Sequence, residues 1–151
     1  MTVKIKNVVT MPMSADSETH AQARISSRDL VNVIDEPLAR ESTNQGLTPT
    51  ETVLSSLMGC TNVVGHRLAH RMGIVLENMH IDFVCQLDRR GAALETAVAI
   101  PFVEIHMDIH VKTAASPAQI DTLKMELSKF YPIAVMLRAP GTRLTETWHI
   151  Q

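Results

Sequence analysis

The sequence predicts a single α+β domain, and three observations predict it. A capping box opens a long helical run near the middle of the chain. A strictly alternating apolar/polar segment lies beyond it. Strands, long helix, two strands, helix and strand then follow one another in that order. At 151 residues the chain is long enough for one real core and short for two, so residues 1–151 are read as one domain.

Taken in order, residues 3–11 are rich in β-branched side chains and read as a strand. Residues 14–18, Ser-Ala-Asp-Ser-Glu, read as a polar turn, from which residues 20–25 return as a second strand. Residues 29–34 form a third, and a polar loop covers 38–46. Thr48-Pro49-Thr50-Glu51 then places Thr at an N-cap, Pro at the first helical position and Glu at the third. From there Val53, Leu54, Leu57, Met58, Val64, Leu68 and Met72 recur at helical spacing, which predicts a helix to about Arg71 with Gly73 as its stop. At 1.5 Å per residue it spans about 35 Å, long enough to be the central element.

Beyond the helix, residues 74–88 put Ile81, Phe83, Cys85 and Leu87 on one face and Asp82, Val84 and Gln86 on the other; Arg89-Arg90-Gly91 supplies a turn. Val103, Ile105, Met107, Ile109 and Val111 alternate with Glu104, His106, Asp108, His110 and Lys112, a half-buried strand with one wet face. Ser116 and Pro117 open a second amphipathic helix through Ile120, Leu123, Met125, Leu127 and Phe130. Residues 133–137 read as a short apolar turn, and 143–150 as the closing strand.

Composition narrows function. Apolar residues make up 45%, so the chain is globular; aromatics are only 3%, so the core is aliphatic with nine methionines filling gaps. The net charge of −2 comes from 14 basic and 16 acidic residues well mixed, with no basic stripe for nucleic acid. No apolar run approaches the ~20 residues of a membrane span, and the first residues lack the apolar stretch of a signal peptide, so a cytoplasmic protein is expected. Two cysteines, Cys60 and Cys85, are too few for a disulfide framework. GxSxG, HExxH and phosphate-cradling glycine loops are absent, which leaves hydrolase, metalloprotease and nucleotide-binding readings without a basis.

The segment from Gly46 to Cys60 resembles the OsmC/Ohr family of osmotically inducible and organic hydroperoxide resistance proteins. That family's signature is a Gly, a Pro three residues on, one or two Glu, an apolar helix, and a reactive Cys fourteen positions after the Gly. Gly46, Pro49, Glu51 and Cys60 fall at those offsets, and Arg40, six residues before Gly46, stands where the OsmC branch carries its functional arginine. The order of elements is similar over nearly the whole chain. The resemblance implies antiparallel sheets packed around a long central helix and a second helix, in an intertwined homodimer. It also implies a thiol peroxidase acting on organic hydroperoxides and hydrogen peroxide. There the first Cys attacks the O–O bond and becomes a sulfenic acid, a second Cys condenses with it, and a dithiol such as a lipoyl group restores both. Two positions depart from the pattern. The second Cys, just before a Pro near the end of the second helix, is replaced by Tyr131 before Pro132. The acidic residue directly after the helix-opening Pro is Thr50, with Glu51 one place later, about 100° around the helix.

Cys60 therefore carries two readings: a small core residue on composition alone, and the attacking thiol on the resemblance. It lies beyond the first helical turn, so a lowered pKa requires a nearby cation; Arg40 is the first candidate and Arg67, two turns along, the second. Glu51 reads as the capping partner of Thr48 or as a contact of Arg40, Tyr131 as a plug in the space of the missing cysteine, and Cys85 as core. His66 and His70 stand one helical turn apart and Glu104, His106, Asp108 and His110 share a strand face, but neither row supplies three or four converging ligands, so no metal and no cofactor is expected. Two functions stay open. One is a one-cysteine peroxidase in which Cys60, aided by Arg40 and Glu51, reduces a hydroperoxide and an external thiol reductant resolves the product. The other is a non-catalytic homodimer that binds a small apolar ligand or senses oxidation. Neither reading involves nucleic acid or a membrane.

Overall fold

Residues 7–151 are described by a computed structural model. The chain is mixed α+β and divides into two compact units, Met1–Leu54 and Ser55–Gln151, with the helix α1 (Pro49–Arg71) crossing the division.

The first unit holds a three-stranded antiparallel sheet in the order β1 (Ser14–Ser17), β2 (Ala23–Ser27), β3 (Leu30–Ile34). The expected first strand was misplaced. Residues 3–6 lie outside the described part; residues 7–11 are not in a strand, and the expected turn at 14–18 is β1 instead. Pairing decides here over propensity: Ala15 sits opposite Ile25 and Ser17 opposite Ala23, whereas Val8 and Val9 have no ladder to join and stand exposed. The turn itself is Glu18 to Gln22, where the Thr19 hydroxyl accepts from the Ala21 and Gln22 amides. After β3 the chain makes a single 3-10 turn, Leu38–Arg40, and returns so that Leu47 bridges Ile34 and its carbonyl accepts from the Asp35 amide at 3.0 Å. Gly46 permits that return, because a Cβ there would lie 2.1 Å from the Val33 carbonyl oxygen.

Asp35 anchors the connecting loop. Its side chain is fully buried and accepts from the Gln45 amide (2.9 Å), the Glu36 amide (2.8 Å), the Thr43 hydroxyl (2.6 Å), the Ser42 hydroxyl and Gln22 Nε2 (3.3 Å). Burial alone would raise its pKa, but the donors from Gln45, Ser42, Thr43 and Glu36 outweigh it and hold the carboxyl well below the usual range.

The second unit is built on the rest of α1 and a sheet in the order β4 (Glu77–Leu87), β5 (Phe102–Lys112), β6 (Arg143–Ile150), with β5 antiparallel to β4 and parallel to β6. The alternation in β5 is realised from Ile105 on: Ile105, Met107, Ile109 and Val111 are fully buried and the residues between them face outward, whereas Val103, expected on the same face, is exposed near the strand's start. Along α1, Leu57, Thr61, Gly65, Leu68 and Ala69 form the buried stripe. The helix α2 (Pro117–Leu127) starts as expected, with a capping box between Ser116 and Gln119, and contributes Ile120, Leu123 and Leu127 to the core. It stops three residues earlier than its pattern predicts, leaving Phe130 exposed. The segment expected as an apolar turn is the helix α3 (Pro132–Arg138), with Pro132 at its first position and Ala134 and Leu137 buried.

Candidate functional site

Cys60 lies on α1 beside the buried Thr61, about 100° round the helix from the centre of the apolar stripe, and is half-buried. Its other neighbour, Gly59, is exposed, and a Cβ built there would meet nothing within 4 Å, so the helix surface next to the thiol is open in this chain. Arg67 is exposed and sits seven residues on, about 10 Å along the helix axis.

Tyr131, the residue before α3, is the largest fully buried side chain of the protein's described part. Its hydroxyl is also the one buried side-chain polar atom, among the described residues, without a hydrogen-bond partner. Burial pushes the phenol far above its ordinary range; the nearby Glu146 carboxylate and Cys60 push the same way, while Thr61 and Arg138 pull slightly back. Thr61 lies close to the phenol, and its own hydroxyl donates to the Leu57 carbonyl at 2.9 Å. Glu146 is held by Trp148 Nε1 at 3.2 Å and faces Arg138 Nη2 at 3.7 Å. Cys60, Thr61, Glu146 and Arg138 all act on the Tyr131 phenol. Of these the sequence reading had only Cys60. The signal for Glu146 was present: it shares strand parity with Leu144 and Trp148, so a carboxylate falls on the inward face of β6.

The other expected site residues belong to the first unit and the start of α1. Arg40 closes the 3-10 turn, with its side chain 60% exposed and its Nη1 paired with Glu36 Oε2 at 2.6 Å. Glu51 is the capping-box partner of Thr48: it accepts from the Thr48 amide (2.8 Å) and hydroxyl (2.9 Å), and its own amide donates back to Thr48 Oγ1 at 3.3 Å. The Thr48 amide and then its hydroxyl lower the Glu51 pKa, and Arg40, near enough to act through space, adds to them. Arg40 and Glu51 are thus neighbours in charge, each tied first to another residue.

Cys85 is half-buried on β4 opposite Ile105, and burial raises its thiol pKa. The polar face of the second sheet carries more imidazoles than one strand suggested. His149 Nε2 reaches Asp108 Oδ1 at 2.7 Å, His106 approaches the same carboxylate at 3.3 Å, and His110 stacks on His149 with ring centroids 4.4 Å apart. The hydrogen bond from His149 lowers the Asp108 pKa. Among the described residues no group of three or more His, Cys, Asp or Glu is placed to hold a metal ion. At the end of α1, His66 and His70 line a cavity of about 500 Å³ with Gly73, Ile74, Val75 and Leu76. No helix among the described residues is long and apolar enough to cross a membrane.

Comparison with known proteins places this arrangement. The OsmC-like protein family profile matches residues 42–146, more than half of the chain. No curated protein matches the chain. Solved structures share the fold at low identity. An OsmC-like protein from Mycoplasma pneumoniae superposes with a TM-score of 0.77 at 14% identity, covering 94% of this chain and 97% of that one. The organic hydroperoxide resistance protein OhrB of Bacillus subtilis gives 0.60 at 18%, covering 93% and 98%. An organic hydroperoxide resistance protein OsmC from Legionella pneumophila gives 0.63 at 12%, covering 94% and 99%. With its fold, its helix-opening motif and its family match in agreement, the chain belongs to the OsmC-like protein family.

Proposed function

We propose that this protein reduces hydroperoxides through Cys60 and is recycled by an external thiol. The observation that carries the reading is the setting of Cys60: a half-buried thiol on the long helix, beside an open helix surface at Gly59. The fold is shared with proteins named for organic hydroperoxide resistance. The Cys60 thiolate attacks the distal peroxide oxygen, forming an S–O bond as the O–O bond breaks. Sulfur is oxidised by two electrons, the peroxide is reduced, and the departing alkoxide takes a proton from water. A thiol then condenses with the sulfenic acid, releasing water and leaving a mixed disulfide, and a second thiol frees Cys60. Tyr131 has no sulfur to offer, so both thiols come from outside, and Cys85, its pKa raised by burial, is a poor substitute. Arg40 is the cation assigned to the thiolate and the peroxide, with Glu51 orienting it. The working form proposed is a homodimer, as the resemblance to the OsmC/Ohr family implies. Both thiols stay reduced in a cytoplasmic setting.

The test uses a Cys85→Ser protein, followed for cumene hydroperoxide loss with excess dithiothreitol and for the pH dependence of Cys60 alkylation. Expected are Cys60 alkylation at neutral pH and peroxide loss that needs dithiothreitol and disappears in Cys60→Ser. An inert thiol with no peroxide loss refutes the reading. The alternative would then stand, a dimer binding a small apolar ligand; the largely apolar cavity beside His66 and His70 favours that second reading.

A further inference from the structure

The outward face of the second sheet joins a hydroxyl, an imidazole and a carboxylate in one line. The parallel register of β5 and β6 sets His106 opposite Thr145, Asp108 opposite Thr147 and His110 opposite His149. Strand alternation turns these side chains outward, while Ile105, Met107 and Ile109 take the buried face. Across that register Thr145 Oγ1 lies 2.8 Å from His106 Nδ1, and His106 Nε2 lies 3.3 Å from Asp108 Oδ2. In that order the three groups are a nucleophile, its base and the group that orients the base.

The carboxylate decides which ring nitrogen carries the proton. An ionised carboxylate only accepts, so the nitrogen facing it is N–H. Asp108 is held in that form by His149 Nε2 at 2.7 Å, a contact that lowers its pKa. A neutral His106 ring therefore carries its proton on Nε2 and leaves Nδ1 as the acceptor for the Thr145 hydroxyl. The Ile105 carbonyl, at 3.4 Å, is the more distant acceptor for that hydroxyl. Asp108 is braced in turn. His149 stacks on His110 at 4.4 Å with the ring planes 14° apart, and His110 and His80 approach Asp82 at 3.7 and 3.3 Å.

We propose that Thr145 is a site of O-acylation, with His106 as its base and Asp108 as the positioning residue that fixes the ring. The inference stands apart from the peroxidase reading, since no thiol takes part. The donor is an activated ester with a small acyl group, which reaches a face where the His106 side chain is 38% exposed. Thr145 Oγ1 attacks the acyl carbon, a C–O bond forms, and the hydroxyl proton passes to His106 Nδ1. The ester C–O bond then breaks, and the leaving alcohol takes that proton. The acyl group moves from one oxygen to another with no change of oxidation state. Thr147, on the same strand face, lies 3.5 Å from the N–H end of the ring and so serves as an internal control.

The test treats the full-length Cys60→Ser/Cys85→Ser protein with p-nitrophenyl acetate and locates acetyl groups by peptide mass spectrometry. Expected is an acetyl ester that forms faster on Thr145 than on Thr147. In His106→Gln it should form at least about tenfold more slowly, a smaller factor than a closed site gives because water reaches this face. Thr145→Ser should keep the label at that position, and Thr145→Val should lose it. For Asp108 the readout is the ring itself. In mildly alkaline buffer, nitrogen NMR of the labelled protein should show His106 protonated at Nε2 and bare at Nδ1, and Asp108→Asn should mix the two forms. Equal labelling of Thr145 and Thr147, an unchanged rate in His106→Gln, acetyl groups confined to lysines and imidazoles, or a ring protonated at Nδ1 would each overturn the proposal. A ring unmoved by Asp108→Asn would strike Asp108 from it.

Discussion

Two buried polar groups, one in each compact unit, are treated in opposite ways. Asp35 is out of contact with solvent and takes five hydrogen bonds, two from backbone amides and three from side chains. Tyr131 is equally hidden and takes none. The first arrangement spreads a charge over many donors and thereby fixes a loop: residues 36–46 include Arg40 and Gly46, and three of the five donors come from it beyond Glu36. The second leaves a donor waiting for an acceptor. A fully satisfied network builds a scaffold, while an unsatisfied group in an otherwise well-packed core costs stability.

The largest way to break the contrast is Asp35→Ala. It orphans the Gln45 and Glu36 amides and takes the shared acceptor from the Ser42, Thr43 and Gln22 side chains at once. A lowered melting temperature and rapid proteolysis within residues 36–46 are expected; a melt and digestion pattern like the parent's would refute the scaffold role. The pH dependence carries the same information with a definite sign. Because the folded carboxyl is held well below its unfolded value near ~3.9, its contribution is complete above about pH 5 and drains away as pH falls toward the folded value. Acid melting curves should therefore steepen below about pH 4 in the parent and be flatter in Asp35→Asn.

Tyr131→Phe tests the other half. Removing an orphan hydroxyl while keeping the ring should leave the protein as stable or more stable, by about 1 kcal/mol. That is an unusual sign for a change at a fully buried residue, and chemical denaturation would show it. A loss of 1 kcal/mol or more would mean that the phenol is already satisfied in the resting protein. The smallest effect belongs to the exposed Arg40–Glu36 pair. Glu36→Gln should change stability by less than about 0.5 kcal/mol, because that ion pair stands in solvent. If Arg40 serves the thiolate, however, the same substitution frees it from Glu36 and should speed Cys60 alkylation near neutral pH. An unchanged alkylation rate would separate Arg40 from Cys60.

Much of this was legible in the residues themselves. Thr48-Pro49-Thr50-Glu51 announced the start of α1 because capping is local chemistry among four neighbours. The alternation of β5 announced its buried face because side-chain parity needs no partner to be read. The failures share one cause. β1 is polar and was passed over for the more β-prone residues before it, yet pairing with β2 made Ser14–Ser17 the strand. Residues 132–138 were too few to show a helical period, and the burial of Ala134 and Leu137 sets them as α3.

The candidate site divides along the same line. Sequence by itself determined that Cys60 lies on a long helix and that Gly46, Pro49 and Glu51 precede it at family spacing. Each depends only on neighbours along the chain or on spacing within one element. Tertiary structure alone decided that the Tyr131 hydroxyl is buried without a hydrogen-bond partner in its surroundings, and that Glu146 of β6 faces Arg138 of α3. Hydrogen-bond satisfaction is a property of everything packed around an atom, and it exists only once helices and strands distant in sequence have closed on one another.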